Sequence, residues 1–262
     1  TYEMVMPGGK ALQSCTSHDL GQNFSKSFGI QFQDKEGVLQ HAWQTSWGLS
    51  TRSMGGLILV HGDDKGLRLP PKLAPIQVVL LPIKQDEELM SATKELETQL
   101  RAAGFRVKID VEDKESIGFR INKWELKGVP LRIEIGKREL ESNQLKMVRR
   151  DTGEAMFAKR EDIAEQTGTI LESIQQTLLE QATKLLEENT FETENYADFK
   201  ARMEGERGFL KSFWCGNSEC ESKIKEETKA TTRCKAGVSS KEGACIHCGT
   251  KTNDQWYFAQ SY

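Results

Sequence analysis

Four of the six cysteines in this 262-residue chain stand in two tight pairs, Cys215 with Cys220 (C-x4-C) and Cys245 with Cys248 (C-x2-C). Each pair lies beside a turn-former, Gly216-Asn217 or Gly249, that lets two thiolates converge on one ion. Four sulfurs suit tetrahedral zinc. No general base stands near an open coordination position, so such a zinc is expected to be structural rather than catalytic. The plainer readings are unrelated thiols or a disulfide pair, and His247, between two of the candidates, competes as a ligand. Cys15 and Cys234 have no such partner. A second concentration of chemistry is N-terminal. Gln13-Ser14-Cys15-Thr16-Ser17-His18 clusters hydrogen-bonding side chains on a presumed loop or strand end, and Ser46-Trp47-Gly48-Leu49-Ser50-Thr51-Arg52 sets an arginine in a glycine-containing segment. By physics alone, both patterns read equally as turn and capping chemistry. His61-Gly62-Asp63-Asp64 suggests a hard-metal site, but adjacent carboxylates point different ways and a turn is expected instead.

These residues must be positioned by a chain that is 37% hydrophobic and 29% charged, with a net charge of -3, which excludes a disordered tail and any global positive field. The longest apolar runs, such as Leu57 to Val60 or Val78 to Leu81, fall far short of a membrane span, so no membrane is involved. Too few cysteines for a disulfide scaffold, with most of them in metal-like pairs, predict a reducing, cytoplasmic setting. The opening Thr1-Tyr2-Glu3-Met4 has neither an initiator Met nor a signal core, and predicts a piece of a larger polypeptide. Residues 1–73 are rich in Gly, Ser and Thr, with short strands expected at Ile30-Gln31-Phe32 and Leu57-Ile58-Leu59-Val60. Pro70-Pro71-Lys72-Leu73-Ala74-Pro75 breaks regular structure and marks a boundary.

Beyond that boundary, strands over 76–81, 105–111 and 129–135 alternate with helices. One is capped by Asp86 and carries Leu89, Thr93, Leu96 and Leu100; the other runs over Ser116 to Leu126 with Ile117, Ile121 and Trp124 on one face. Strands near Leu145 to Arg149 and Ala155 to Ala158 and a long helix from about Glu161 to Leu186 complete an α/β domain over 74–186 with a covered, largely parallel sheet. In its strand, Arg132 and Glu134 point away from the Leu131, Ile133 and Ile135 face, so Arg132 is expected to be exposed, and the plainer reading of that face is a solvated ion-pair network. Residues 101–150 hold 13 Lys+Arg against 8 Asp+Glu, a local positive excess. Residues 187–262 form a third, small, metal-stapled unit. The fold class is therefore α/β and α+β, multidomain.

Several long segments are recognisable in order: Ala11 to Gln13, Thr16 to Phe24, Thr45 to Arg52, His61 to Pro71, Ala74 to Val78, Trp124 to Pro130 and the closing Trp256 to Tyr262. Over essentially its whole length the chain resembles prolyl-tRNA synthetases of the archaeal and eukaryotic-like type, which carry a zinc-binding C-terminal domain and lack the bacterial editing insertion. The resemblance implies the end of a class II antiparallel-sheet catalytic domain over 1–73, an anticodon-binding domain with a mixed sheet over 74–186, and a zinc-binding domain over 187–262. It implies ATP-dependent activation of L-proline, with magnesium accompanying the ATP, and transfer to tRNA(Pro). Arg52 matches the catalytic arginine of class II motif 3, and Gln13, Thr16 and Thr51 join it around ATP. His18, Ser46, Trp47, Gly48 and Ser50 match the proline pocket, and Glu125, Arg132 and Arg138 fall where related enzymes contact the anticodon.

Motifs 1 and 2 of the family would precede Thr1, so the chain alone is expected to be inactive, and the homodimer belongs to the full-length enzyme. Tyr262 is expected to end the natural protein and turn back toward the active-site side. A non-catalytic tRNA-binding or partner-binding module is the alternative, which the Thr16-Ser17-His18 and Ser50-Thr51-Arg52 segments weigh against.

Overall fold

The computed structural model describes residues 1–112 and 114–262. In chain order the elements are β1 (Tyr2–Val5), β2 (Ala11–Gly21), α1 (Asn23–Phe28), β3 (Gln31–Gln33), β4 (Leu39–His41), β5 (Gln44–Leu49), α2 (Arg52–His61), β6 (Val78–Pro82), α3 (Glu87–Ala102), β7 (Val107–Ile109) and α4 (Ile117–Leu126). They continue with β8 (Leu131–Ile135), α5 (Lys137–Glu141), β9 (Gln144–Arg149), β10 (Ala155–Lys159), α6 (Ile163–Glu188), β11 (Thr190–Glu192), α7 (Tyr196–Glu204), β12 (Phe209–Phe213), α8 (Ser218–Thr228), β13 (Thr231–Ala244) and β14 (Lys251–Ala259). No helix among the described residues is long and apolar enough to cross a membrane. Contacts divide the chain into two units, one of residues 1–60 with 185–262 and one of residues 61–184.

The unit of residues 61–184 is an α/β layer structure. Its five-stranded sheet runs β10-β9-β8-β6-β7, with β7, β6 and β8 parallel and β9 and β10 antiparallel additions. The Asp86 cap operates as expected, its carboxylate accepting from the Leu89 amide at 3.0 Å, whereas Ser116, read as the first residue of its helix, is the N-cap of α4 and accepts from the Phe119 amide at 3.3 Å. One sheet face, with Val78, Leu80, Leu131, Ile133 and Ile135, packs under α3 and α6. The other face, with Val79 and Leu81, is covered by Ile117, Ile121 and Trp124 of α4. Burying each such side chain is worth about 1.5–3 kcal/mol, which explains why this pattern was readable.

Residues 61–73, assigned from sequence to the N-terminal domain, pack within this unit. The Leu67 and Leu69 amides donate to the Leu126 and Gly128 carbonyls, and Arg150 grips Asp63 through both carboxylate oxygens at 2.6 and 2.8 Å. Asp63 is the turn residue expected, closing Asp63–Gly66 by paired backbone bonds.

The other unit combines an antiparallel β1-β2-β5 sheet, the β3-β4 ribbon and a four-stranded β11-β12-β14-β13 sheet. Residues 1–60 and 185–262, read from sequence as parts of separate domains, share contacts here. The Ala11 amide donates to the Gln260 carbonyl, the Tyr262 amide to the Ala11 carbonyl, and Arg233 pairs with Glu3 at 2.8 Å. A small core of Val5, Ala11, Phe209 and Ala259 seals the junction. Leu57-Ile58-Leu59-Val60, expected as a strand, lies instead in α2. The apolar run is too short to choose between helix and strand. The preceding glycines resemble a breaker, but Gly56 is a packing residue, since a Cβ there would come within 2.5 Å of Met4 Cε.

Candidate functional site

In the unit of residues 1–60 with 185–262, the segments around residues 13–18 and 46–52 meet on the β2-β5 sheet. Gln13 to His18 lie within strand β2 rather than on a loop. β2 pairs with β5 so that Thr16 faces Gly48, Ser17 faces Trp47 and His18 faces Ser46. The β1-β2 register shifts where Tyr2 faces Cys15 and Glu3 faces Gln13, which inserts Ser14 as a bulge. Because a bulge changes the phase of side-chain alternation, Gln13 joins Thr16, His18, Ser46 and Gly48 on one face. Trp47 falls on the opposite face with Ser17, and the residue is 78% exposed.

α2 begins at Arg52, after Ser50 and Thr51 make its first turn. The Ser50 hydroxyl accepts from the Arg52 amide at 3.3 Å, and the Ser50 and Thr51 carbonyls accept from the Ser53 and Met54 amides. Ser53 Oγ lies 3.1 Å from Ser14 Oγ and donates to the Ser14 carbonyl at 3.2 Å, pinning the helix start to the bulge. Ser14 was named within the 13–18 cluster, but its partner Ser53 escaped the sequence reading because an isolated serine carries no pattern. Arg52 is exposed, and its guanidinium has no acidic partner among the described residues. It opens on a cavity of about 570 Å³ shared with Gln13, Leu59, Arg233, Ser261 and Tyr262. The C-terminal segment thus reaches the cavity of Arg52, and within that segment Phe258 is fully buried while Trp256 and Tyr257 are half-buried.

The four paired cysteines also converge. Cys215 follows β12, Gly216 takes a left-handed φ of +76°, and Asn217 caps α8 by accepting from the Glu219 amide at 2.8 Å, which points Cys220 of the first turn back toward Cys215. Cys245 and Cys248 sit in the turn between β13 and β14, where Gly249 takes a φ of +73° and the Cys245 amide donates to the Thr250 carbonyl. All four Sγ atoms lie within 4.8 Å of one another, with 3.8 Å between Cys215 and Cys220 and 3.7 Å between Cys215 and Cys248. A tetrahedron with metal–sulfur bonds near 2.3 Å has edges of roughly 3.8 Å, so the cluster can hold a metal.

Burial pushes the Cys220 thiol up to about 12, whereas the hydroxyl and amide of Thr250 pull the exposed Cys248 down to about 6. Thr250, 3.2 Å from Cys248 Sγ, is a neighbour that cysteine spacing did not flag. His247, weighed as a competing ligand, turns its ring edge to Tyr196 at a centroid distance of 5.3 Å and lies 3.9 Å from Glu227. Burial, reinforced by Glu227, lifts the Tyr196 hydroxyl to about 12.

In the unit of residues 61–184, Arg132 is not the exposed cation expected. Its guanidinium bonds Glu125 of α4 at 3.2 Å and Glu134 at 3.0 Å, and Lys146 of β9 holds the second oxygen of Glu134 at 3.0 Å. The Arg132 side chain is only 12% exposed. The pleat does send it away from the main core, but α4 covers that face too and brings Glu125 over it. Glu125 and Arg132 are therefore together, while Arg138 lies on the exposed side of α5 and is not joined to them by any side-chain bond.

A family model described as "Anticodon binding domain" matches residues 77–167, and one described as "Prolyl-tRNA synthetase, C-terminal" matches residues 196–262. The chain is 43% identical over 265 aligned residues to a proline–tRNA ligase of Natranaerobius thermophilus, covering 99% of this chain and 55% of that protein. It is 44% identical to proline–tRNA ligase 2 of Clostridioides difficile, covering 100% of this chain and again 55% of the relative. A crystal structure of prolyl-tRNA synthetase from Cryptosporidium parvum, complexed with halofuginone and AMPPNP, matches with a TM-score of 0.92 and 36% identity over 99% of this chain and 56% of that one. The chain thus spans about half the length of the curated relatives it matches.

Proposed function

This chain belongs to the prolyl-tRNA synthetase family, and from that premise we propose that it forms part of an enzyme that activates L-proline with ATP to prolyl-adenylate and transfers it to tRNA(Pro). The reading divides the chain into the end of the catalytic domain (1–73), the anticodon-binding domain (74–186) and the metal-binding domain (187–262). One observation carries it: Arg52, free of acidic partners among the described residues, opens on the same cavity as Gln13, whose sheet face also bears Thr16, His18, Ser46 and Gly48.

Arg52 supplies a fixed cationic fork for the terminal phosphate of magnesium-bound ATP and for the charge that moves onto departing pyrophosphate. Its position at the head of α2 adds the partial positive charge of a helix N-terminus. Gln13, Thr16 and Thr51 offer hydrogen bonds to the nucleotide. His18, Ser46 and Ser50 line the imino-acid end, where Gly48 leaves room for a ring. Trp47, on the far face of β5, contributes through its backbone. A small apolar ring offers little to hydrogen-bond, so shape must supply most of the discrimination.

Glu125, Arg132 and Arg138 are the proposed anticodon contacts. The two guanines of proline anticodons present acceptor edges that suit arginine and donor edges that suit glutamate. At Cys215, Cys220, Cys245 and Cys248 the metal is zinc, which when bound cross-links the start of α8 to the β13-β14 turn and does no chemistry. The complete enzyme is a cytoplasmic homodimer. The deciding assay is proline-dependent exchange of pyrophosphate into ATP by the longer polypeptide. Exchange that is absent, or that another amino acid supports equally, removes the proposal.

A further inference from the structure

Helix α4 has two unlike faces. Ile117, Ile121 and Trp124 face inward onto Val79, Leu81 and Val129. Arg120 is also buried, with its guanidinium donating to the Pro82 and Asp110 carbonyls at 3.0 Å each. Phe119, Asn122 and Leu126, spaced by three and four residues, fall together on the outer face. Phe119 is 56% exposed and Leu126 63% exposed. Single exposed apolar residues are ordinary. Here, however, they line a groove of about 650 Å³ whose walls also carry Lys65, Glu115, Asn122, Lys123 and Glu125.

The chemistry of that groove is specific. Phe119 is more than half exposed and is in no ring or cation–π pair among the described residues. Asn122 brings an amide with both donor and acceptor. Burial pulls the Lys123 ammonium down, but the Glu115 and Asp110 carboxylates outweigh it and hold lysine above its ordinary value. Lys65 has no ion pair among the described residues, and residues 101–150 carry their excess of basic side chains. Glu125 lines the groove and is also the carboxylate that holds Arg132 at 3.2 Å. A flat apolar seat, a hydrogen-bonding amide and the unpaired Lys65 fit an unstacked nucleobase with its phosphate backbone, while Lys123 is held by Glu115 and Asp110. They fit an apolar peptide less well, because the polar groups would have to be desolvated.

We propose that Phe119 is a stacking platform for a nucleobase of the single-stranded anticodon loop, seated in the groove beside the Glu125–Arg132 pair. The inference rests on the anticodon-binding reading of residues 74–186 and adds a shape-reading residue to it. The probe is a fluorescein-labelled RNA hairpin with the anticodon stem and loop of proline tRNA, titrated with this chain and followed by anisotropy. Phe119→Ala is expected to weaken binding by about 5- to 150-fold, the loss typical of one base–aromatic stack. Phe119→Leu, still apolar but without a π-face, should lose as much. Phe119→Trp should bind like the parent, with tryptophan emission quenched on adding RNA beyond any change in the parent chain.

Thermal melts of all three variants should match the parent, because the ring is outside the core. If Phe119→Ala or Phe119→Leu binds like the parent, the stacking platform is wrong while anticodon binding stands. If the parent binds the hairpin no better than one with a scrambled loop, the anticodon reading fails and the platform with it. Capture of an apolar peptide in the groove with no effect of Phe119 on RNA binding would likewise overturn it.

Discussion

Arg132 and Arg52 are both arginines held on ordered elements, yet Arg132 is clasped by Glu125 and Glu134 at 3.2 and 3.0 Å while Arg52 has no acidic partner among the described residues. A guanidinium fixed between carboxylates is pre-organised, and its charge is largely spent. A ligand must replace one of those contacts, which favours discrimination over raw attraction. An unpaired guanidinium at a helix head keeps its field for an anion that arrives with its own charge. The apolar surfaces differ in the same sense. Residues 61–184 cover both faces of their sheet, whereas in residues 1–60 Phe28, Trp43, Trp47 and Leu49 are each more than 70% exposed. Relatives about twice as long supply a reason: we expect further chain to cover those side chains and complete the site around Arg52.

The largest expected effect follows from that expectation. Purified residues 1–262 should give no proline-dependent pyrophosphate exchange, whereas the longer polypeptide should give it; exchange by the chain alone would show that its surface is already a complete site. Within the longer polypeptide, Arg52→Ala should lower proline activation by about 2–4 kcal/mol of transition-state stabilisation, the usual loss for a charge-stabilising donor. Pyrophosphate exchange reads it, and an unchanged rate would mean that the free guanidinium has no catalytic duty.

Next comes the cysteine cluster. Elemental analysis should find about one zinc per chain, and Cys220→Ser, at a buried ligand, should release it. The loss should loosen residues 185–262 by more than the roughly 1 kcal/mol of an ordinary substitution. Residues 61–184 have their own core and should keep their hydrogen-exchange protection. Full zinc content in the variant would show that three sulfurs suffice. At the clasped arginine the effect should be smaller: Arg132→Ala in the longer polypeptide is expected to cost about 1–3 kcal/mol on proline tRNA, with adenylate formation nearly unchanged. Equal losses on tRNAs with altered anticodon guanines would reduce the Glu125–Arg132–Glu134 network to scaffolding.

What the sequence disclosed follows from which interactions are local. Asp86 announced its helix because an N-cap acts within three residues, and the β6, β8 and α6 apolar patterns repeat at short spacing. The cysteine pairs were legible for the same reason: each is a turn of the chain, and only the meeting of the two pairs is long-range. α2 was misread because its second half is a four-residue apolar run behind two glycines, and the role of Gly56 depends on Met4 and Leu12. The 14-residue strand β13 has no clean alternation, since irregularities at three places shift its register against β14. For Arg132 an ion-pair network was one of the two readings, but its partners and burial could not be read: Glu125 lies on another element, and Lys146 reaches Glu134 from a third.

Asp63 offers the smallest and most specific test. It stands in the turn after α2, and hydrogen bonds from Arg150 hold its carboxyl down at about 2, against an ordinary 3.8. A group whose folded pKa is depressed stabilises the fold above its unfolded pKa, and that contribution disappears as pH falls through the folded value. The stabilisation should therefore be complete above about pH 5 and decline through pH 4 to 2. The carboxylate is one-third exposed, so after allowance for solvent screening its worth is on the order of 1 kcal/mol. Asp63→Asn should lower the unfolding free energy of residues 61–184, read by urea titration, by that amount at pH 7, while at pH 2 to 2.5 the variant and parent should converge. Arg150→Ala should lower it further, because Arg150 is itself buried and also donates to the Glu125 carbonyl at 2.9 Å. A pH-independent difference between Asp63→Asn and the parent would mean that packing, not charge, joins the turn to β9, and that the ion pair merely accompanies it.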